Sequence, residues 1–325
     1  MSRPVAAPGP APASPPPSPS SRRRKRGRRL RRSSTAIAVC VAVLLGLAGP
    51  ADATWSIVAV DPESGEVGAA IASCVDGAIL GEPTQTLVPV VLVPAVGAGV
   101  SQGQLDAGAP RRIGDLLNLG TEPEAIVVAL TDLEADPLAE VRQHAVVTLD
   151  GPEVAAHTGT ELNPAALDRQ GETVSVQGNL LVDDAVVDDT LAAFEAARDE
   201  GAPLAGALVA ALQAGADAGG DLRCEDQTAL FAQVAVAGDG DDPVRPSILL
   251  TVLVADGDGT NPVDELSAAW AEGRRGLLDM AEPPDGTGPW FRIVVFVVAA
   301  AMILGAYVAW SRGIGSRAAR RSTRS

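Results

Sequence analysis

Ala51-Asp52-Ala53-Thr54-Trp55-Ser56-Ile57-Val58-Ala59-Val60 is the stretch on which the reading of this chain turns. Ala51-Asp52-Ala53 ends an apolar segment and puts small residues at the two positions a signal peptidase reads. A cut after Ala53 makes Thr54 the new N-terminus. Thr54 would then carry a free α-amine beside its own hydroxyl, a minimal catalytic unit of nucleophile and base. Trp55 to Val60 read as a buried β-strand, which would hold Thr54 at the edge of a sheet. Thr is also common in strands for reasons unrelated to chemistry. Cleavage and residue type alone favour that simpler reading.

Upstream, residues 1–34 are Pro-rich and then basic, and form no core. Residues 35–53 are the apolar export segment with its cleavage site, too short for a comfortable membrane span. Arg31-Arg32 fits a twin-arginine signal poorly. Cys40 has apolar residues still to come after it, which argues against a lipoprotein cysteine.

The net charge of −16 hides an asymmetry. Residues 1–53 hold ten basic residues and one acid, and residues 291–325 hold six Arg and no acid. Residues 54–290 therefore carry 40 acids against nine Arg, a net of −31, and contain no Lys. So acidic a surface argues against nucleic acid or anionic lipid as partner. Solvation or a saline habitat explains it without a specific site.

Downstream of Thr54 the pattern gives a hairpin, with strands to Val60 and from Glu66 to Ser73 around Asp61-Pro62-Glu63-Ser64-Gly65. Leu87 to Val100 reads as an edge or bent strand because of Pro89 and Pro94. Arg111–Leu119 and Glu122–Leu130 read as amphipathic helices. Gln143–Leu149 and Glu153–Thr158 flank the hairpin signal Asp150-Gly151. A strand over Thr173–Leu181 precedes helices over Asp184–Arg198 and Pro203–Ala216. Strands over Thr228–Val236 and Ser247–Ala255 precede a last helix over Pro262–Glu272. Paired strands followed by paired helices imply an α+β domain of two antiparallel sheets with helices outside.

Thr54-Trp55-Ser56-Ile57-Val58-Ala59, Val100-Ser101-Gln102, Arg142-Gln143 and His157-Thr158-Gly159 carry a family resemblance. So do Val176-Gln177-Gly178-Asn179-Leu180-Leu181, Ala218-Gly219-Gly220-Asp221 and Gln227-Thr228-Ala229. In that order they make residues 54–237 resemble domain of unknown function 1028, an uncharacterised family similar to the N-terminal-nucleophile (Ntn) hydrolases. The resemblance implies a four-layer α-β-β-α sandwich. In members without a signal peptide a Thr follows the initiator Met, so cleavage here would reach the same end by another route.

The remaining polar residues have two readings each. His144 and His157 are the only His residues. Either would serve as a general base or as a structural His; only His157 matches the family pattern. Gln177 and Asn179 flank Gly178, and their amides would donate to an oxyanion or fasten a β-bulge. Asp221 would orient the Thr54 amine or cap the following segment, and Arg142 would supply positive charge. The proteasome-like branch of the fold uses a Lys, which the domain lacks. Asp239-Gly240-Asp241-Asp242 and the run from Asp256 to Asn261 are rich in oxygen ligands. Asn261 and Ser267 stand where an EF-hand needs Gly and Glu, so both loops read as turns with room for weak cation binding, and no dedicated metal site or cofactor is expected.

Cys74 and Cys224 are the Cys residues that survive signal removal. An exported domain meets an oxidising compartment, so the two are expected to pair. Residues 54–280 then form the ectodomain and 281–289 a Pro/Gly tether. Residues 290–311 form a transmembrane helix, uncharged from Ile293 to Trp310 and bracketed by Trp290 and Trp310. The Arg-rich tail 312–325 faces the cytoplasm. Removal of the helix as a sorting tail and assembly into a homo-oligomer both stay open. Two functions remain. One is an amidohydrolase acting on an amide or peptide bond outside the cytoplasmic membrane. The other is a non-catalytic binding module of the same fold, recognising cell-wall or surface components.

Overall fold

A computed structural model describes residues 54–75 and 84–274. The expected export segment, tether, membrane helix and basic tail all fall outside the described residues. Among those described, no helix is long and apolar enough to cross a membrane.

The chain is a mixed α+β structure with two antiparallel sheets. β1 (Thr54–Asp61) and β2 (Glu66–Ser73) form the first hairpin. Its turn passes through Gly65 at a φ of +77°, a conformation that Gly adopts without strain. β3 (Val90–Val93) and β4 (Gly97–Gly103) make a second hairpin. The sequence reads as one bent strand there. The chain instead reverses at Ala95, whose φ is +60°. Pro94 just before it cannot donate to a ladder, so the run breaks at that point.

α1 (Ala109–Asn118) and α2 (Pro123–Thr131) follow, each opened by a Pro in its first turn. β5 (Arg142–Thr148) and β6 (Val154–Thr158) lie on either side of Gly151, whose φ is +60°. β7 (Leu167–Gln170) was not expected, because four residues reading Leu-Asp-Arg-Gln have no apolar alternation. It pairs with β8 (Val174–Asn179). α3 (Ala185–Asp199) and α4 (Leu204–Asp217) precede β9 (Phe231–Ala237), β10 (Ile248–Leu253) and α5 (Pro262–Ala271).

The six-stranded sheet runs β10-β9-β2-β1-β8-β7 and the four-stranded sheet β3-β4-β5-β6. Three apolar clusters hold them. Trp55, Ile57, Val176, Phe194, Leu208 and Leu250 pack between the larger sheet and α3, α4 and α5. Val58, Ile71, Leu92, Val100, Val147 and Phe231 fill the space between the sheets. Ile113, Leu117, Ile126, Leu130 and Val146 pack α1 and α2 onto the smaller sheet. Each buried aliphatic side chain contributes about 1.5–3 kcal/mol. A disulfide joins Cys74, at the end of β2, to Cys224, with the two Cα atoms 5.6 Å apart.

Candidate active site

Alternation along β1 decides what faces what. Trp55, Ile57 and Ala59 point to the helices of the larger sheet. Thr54, Ser56, Val58 and Val60 therefore point between the sheets. Because β1 is flanked by β2 and β8, Thr54 has a neighbour on each side, Ser73 and Asn179. Its Oγ1 donates to Ser73 Oγ at 3.1 Å, and the residue is 5% exposed. A crevice of about 10 Å³ lies beside it, bordered by Ile71, Val75, Gln102 and Leu105. That is room for about one water molecule.

Polar side chains occupy this end of the inter-sheet space, and their hydrogen bonds form a directed chain. Ser175 Oγ donates to Gln177 Oε1 at 3.0 Å, and Gln177 Nε2 donates to Ser56 Oγ at 2.6 Å. Ser56 Oγ donates to Gln102 Oε1 at 2.6 Å, and Gln102 Nε2 to Gln143 Oε1 at 2.8 Å. Gln143 Nε2 donates to Thr158 Oγ1 at 2.9 Å, and Thr158 Oγ1 to Asp168 Oδ1 at 2.7 Å. Every link runs the same way because the end is a carboxylate, which only accepts. Such chains polarise and strengthen one another. Gln102 Nε2 also donates to the Thr54 carbonyl at 3.2 Å, which ties the chain to the Thr54 backbone. At its far end Thr158 and Asp168 border an open groove of about 450 Å³ beside Leu162, Leu167 and Arg169.

The structure brings Gln177 and Asn179 to this space with Thr54. Gln177 spends its amide on Ser56 Oγ and on the Ser56 carbonyl at 3.0 Å. Asn179 donates through Nδ2 to Gln143 Oε1 at 3.3 Å, and its Oδ1 has no partner among the described residues. Asn179 thus offers an acceptor rather than an oxyanion donor. Asp221 is wholly buried and caps the turn Leu222–Gln227 by accepting from the Arg223 N–H. It also pairs with the Arg223 guanidinium at 2.8 Å and accepts from the Cys74 N–H at 2.7 Å. Through Cys74 it braces the residue next to Ser73.

His157 and Arg142 lie elsewhere. In β5, Gln143, Ala145 and Val147 face the larger sheet, so Arg142, His144 and Val146 face α1 and α2. His157 sits opposite His144, its ring 6.3 Å away and stacked, on that same outer face. Arg142 forms a buried ion pair with Asp136 and donates to the Gln104 carbonyl. Burial pushes Asp136 up, but the Arg142 hydrogen bond, the Leu138 N–H and the Arg142 charge outweigh it and hold the carboxyl below its usual range. His144 is fully buried, and both ring nitrogens lack partners among the described residues. Burial, then the neighbouring His157 and Arg142, push it down to about 4.

Ser56, Ser73, Gln102, Gln143, Thr158 and Asp168 were not nominated from the sequence. One signal was present: Gln102, Gln143 and Gln177 each occupy an inward position in a Val/Ala-rich strand. The Asp-rich loops turn onto their own backbone, Asp241 accepting from Gly238 and Ser247, Asp258 from Thr260. Among the described residues no group of His, Cys, Asp and Glu is arranged to hold a metal ion.

A model of the Family of unknown function (DUF1028) matches residues 54–266, beginning at Thr54 itself. The chain belongs to the DUF1028 family. It is also similar to the crystal structure of a DUF1028 protein from Silicibacter pomeroyi, with 26% identity and a TM-score of 0.53. That similarity covers 68% of this chain and 89% of the other. No curated protein matches the sequence. The DUF1028 match spans both sheets, so it takes in Thr54 and every member of the hydrogen-bonded chain.

Proposed function

We propose that this DUF1028 chain is an N-terminal-nucleophile amidohydrolase-like protein with the four-layer α-β-β-α sandwich of such enzymes. In this reading Thr54 is exposed by cleavage after Ala53. Its hydroxyl attacks an amide or peptide carbonyl, and its α-amine takes the hydroxyl proton. The domain stands outside the cytoplasmic membrane, held by a helix over residues 290–311. One observation carries the proposal: Thr54 opens an inner strand of the larger sheet, with its side chain turned into the polar end of the inter-sheet space. A nucleophile needs that fixed geometry, because a hydroxyl on a loose terminus has no defined line of attack.

A hydroxyl-directed covalent probe tests it. The processed protein should take up one equivalent on Thr54, and Thr54→Ala should take up none while remaining folded. Labelling unaffected by Thr54→Ala contradicts the proposal. A second reading, a binding module without catalysis, draws on the disparity in space. The crevice at Thr54 is about 10 Å³, whereas the groove at Thr158 and Asp168 is about 450 Å³. Absence of labelling, with Thr54 free at the N-terminus, favours it.

A further inference from the structure

The orientation of Asn179 follows from groups that cannot turn. The carbonyls of Leu167 and Gly178 only accept, and Gln143 Nε2 donates to both at 3.0 Å. Gln143 Oε1 must therefore face the other way, where it accepts from Gln102 Nε2 at 2.8 Å and from Asn179 Nδ2 at 3.3 Å. Turning the Asn179 amide over would set its oxygen against Gln143 Oε1. So Oδ1 is the free atom, and it is buried in a residue of zero exposure. A buried carbonyl without a donor is costly and calls for an explanation.

Thr54 is directly opposite Asn179 in the β1–β8 register. Opposed residues of antiparallel strands carry Cβ atoms about 4.5–5.5 Å apart, within reach of an amide arm. Inside a continuous chain the Thr54 nitrogen has a single N–H. As a chain terminus it has two as an amine and three as an ammonium. Cleavage thus creates donors beside an acceptor that has none.

We propose that Asn179 is a positioning residue whose side-chain carbonyl accepts a hydrogen bond from the α-amine of mature Thr54. The inference rests on the reading of Thr54 as a processed N-terminal nucleophile. One N–H held by Asn179 fixes rotation about the Cα–N bond, so the nitrogen lone pair can face Oγ1. The proton of Oγ1 then moves to that lone pair as the Oγ1–carbon bond forms. The same proton passes to the leaving amine as the carbon–nitrogen bond breaks.

Lys25 is the only Lys in the sequence and lies before the cleavage site, so a chain starting at Thr54 has one primary amine, its own terminus. The experiment is a titration of that amine on the processed full-length protein. Its rate of acylation by acetic anhydride is followed from about pH 5 to 10, a range that spans the ordinary α-amine midpoint. Asn179→Asp puts a carboxylate beside the ammonium and should raise the midpoint by about 1–3 units. Asn179→Leu removes the acceptor and should lower it. Asn179→Asp keeps the size of the side chain, so the test stands even if Asn179→Leu fails to fold. Midpoints that ignore residue 179 overturn this inference alone and leave the nucleophile in place. A processed chain with no reactive amine on Thr54 overturns the nucleophile reading and this inference with it.

Discussion

Replacing Gln143 by Met removes the donor that serves Leu167 O, Gly178 O and Thr158 Oγ1 together. Both carbonyls keep their ladder bonds in the β7–β8 pair, so the loss is a second hydrogen bond to each and the donor to Thr158 Oγ1, worth about 0.5–1.5 kcal/mol apiece. Gln143→Met should therefore lower stability by about 1–3 kcal/mol, read as a shift in the urea midpoint at constant slope. His144 offers a test by pH. Its folded value of about 4 lies below the ordinary 6.5. The unfolded chain therefore binds the proton first as pH falls. Stability is complete above about 6.5, declines toward about 4 and levels off below. The full loss is about 3 kcal/mol for a shift of that size. In urea titrations at several pH values, His144→Phe should flatten stability across that window. A slope unchanged by His144→Phe would assign it to another group. The carboxyls of Asp61, Asp106 and Asp136 are held low, so their contribution fades from about pH 5 downward and overlaps only the acid end of that window.

At the scale of elements, the contact between α4 and β1 sets where Thr54 stands. Gly215 of α4 lies over Trp55, and a Cβ there would come within 2.6 Å of Trp55 Nε1 and of Thr190 Oγ1. Gly215→Ala must push the helix away or displace the indole, at a cost of about 1–3 kcal/mol. Because Trp55 adjoins Thr54, the same variant should slow covalent labelling of Thr54, which separates it from a change that only destabilises. Most elements were legible in the sequence because their apolar periods are long and clean. Two were not. The Leu87–Val100 run hides its reversal, because Ala95 at positive φ has no sequence signature. β7 is short and polar and exists only because β8 offers it an edge. The sheet order was also beyond local reading, since β1 meets β8 across more than 100 residues of chain. Among the candidate residues, Gln177 and Asn179, which the family pattern contains, share the inter-sheet space with Thr54. His157 and Arg142 also match the family pattern, but alternation in β5 and β6 sends them to the face opposite Gln143. Gln102 and Gln143 lie in matching stretches too, but their place in the hydrogen-bonded chain depends on strands distant in sequence coming together.

At the scale of the whole molecule, the disulfide between Cys74 and Cys224 spans a sequence separation of 150. Closing so long a loop restrains the unfolded chain by about 4–5 kcal/mol. Replacing both Cys by Ser should lower thermal stability accordingly. Alkylation of the denatured, unreduced wild type should label neither Cys74 nor Cys224. Labelling of both contradicts the bridge. We propose that export and catalysis meet at one peptide bond, the one before Thr54, where the DUF1028 match begins. The measurement that tests this most directly is N-terminal sequencing of the mature protein isolated from its native cells. A single sequence beginning Thr54-Trp55-Ser56-Ile57 is expected. A mature chain beginning at any other residue leaves Thr54 without a free amine and contradicts the account.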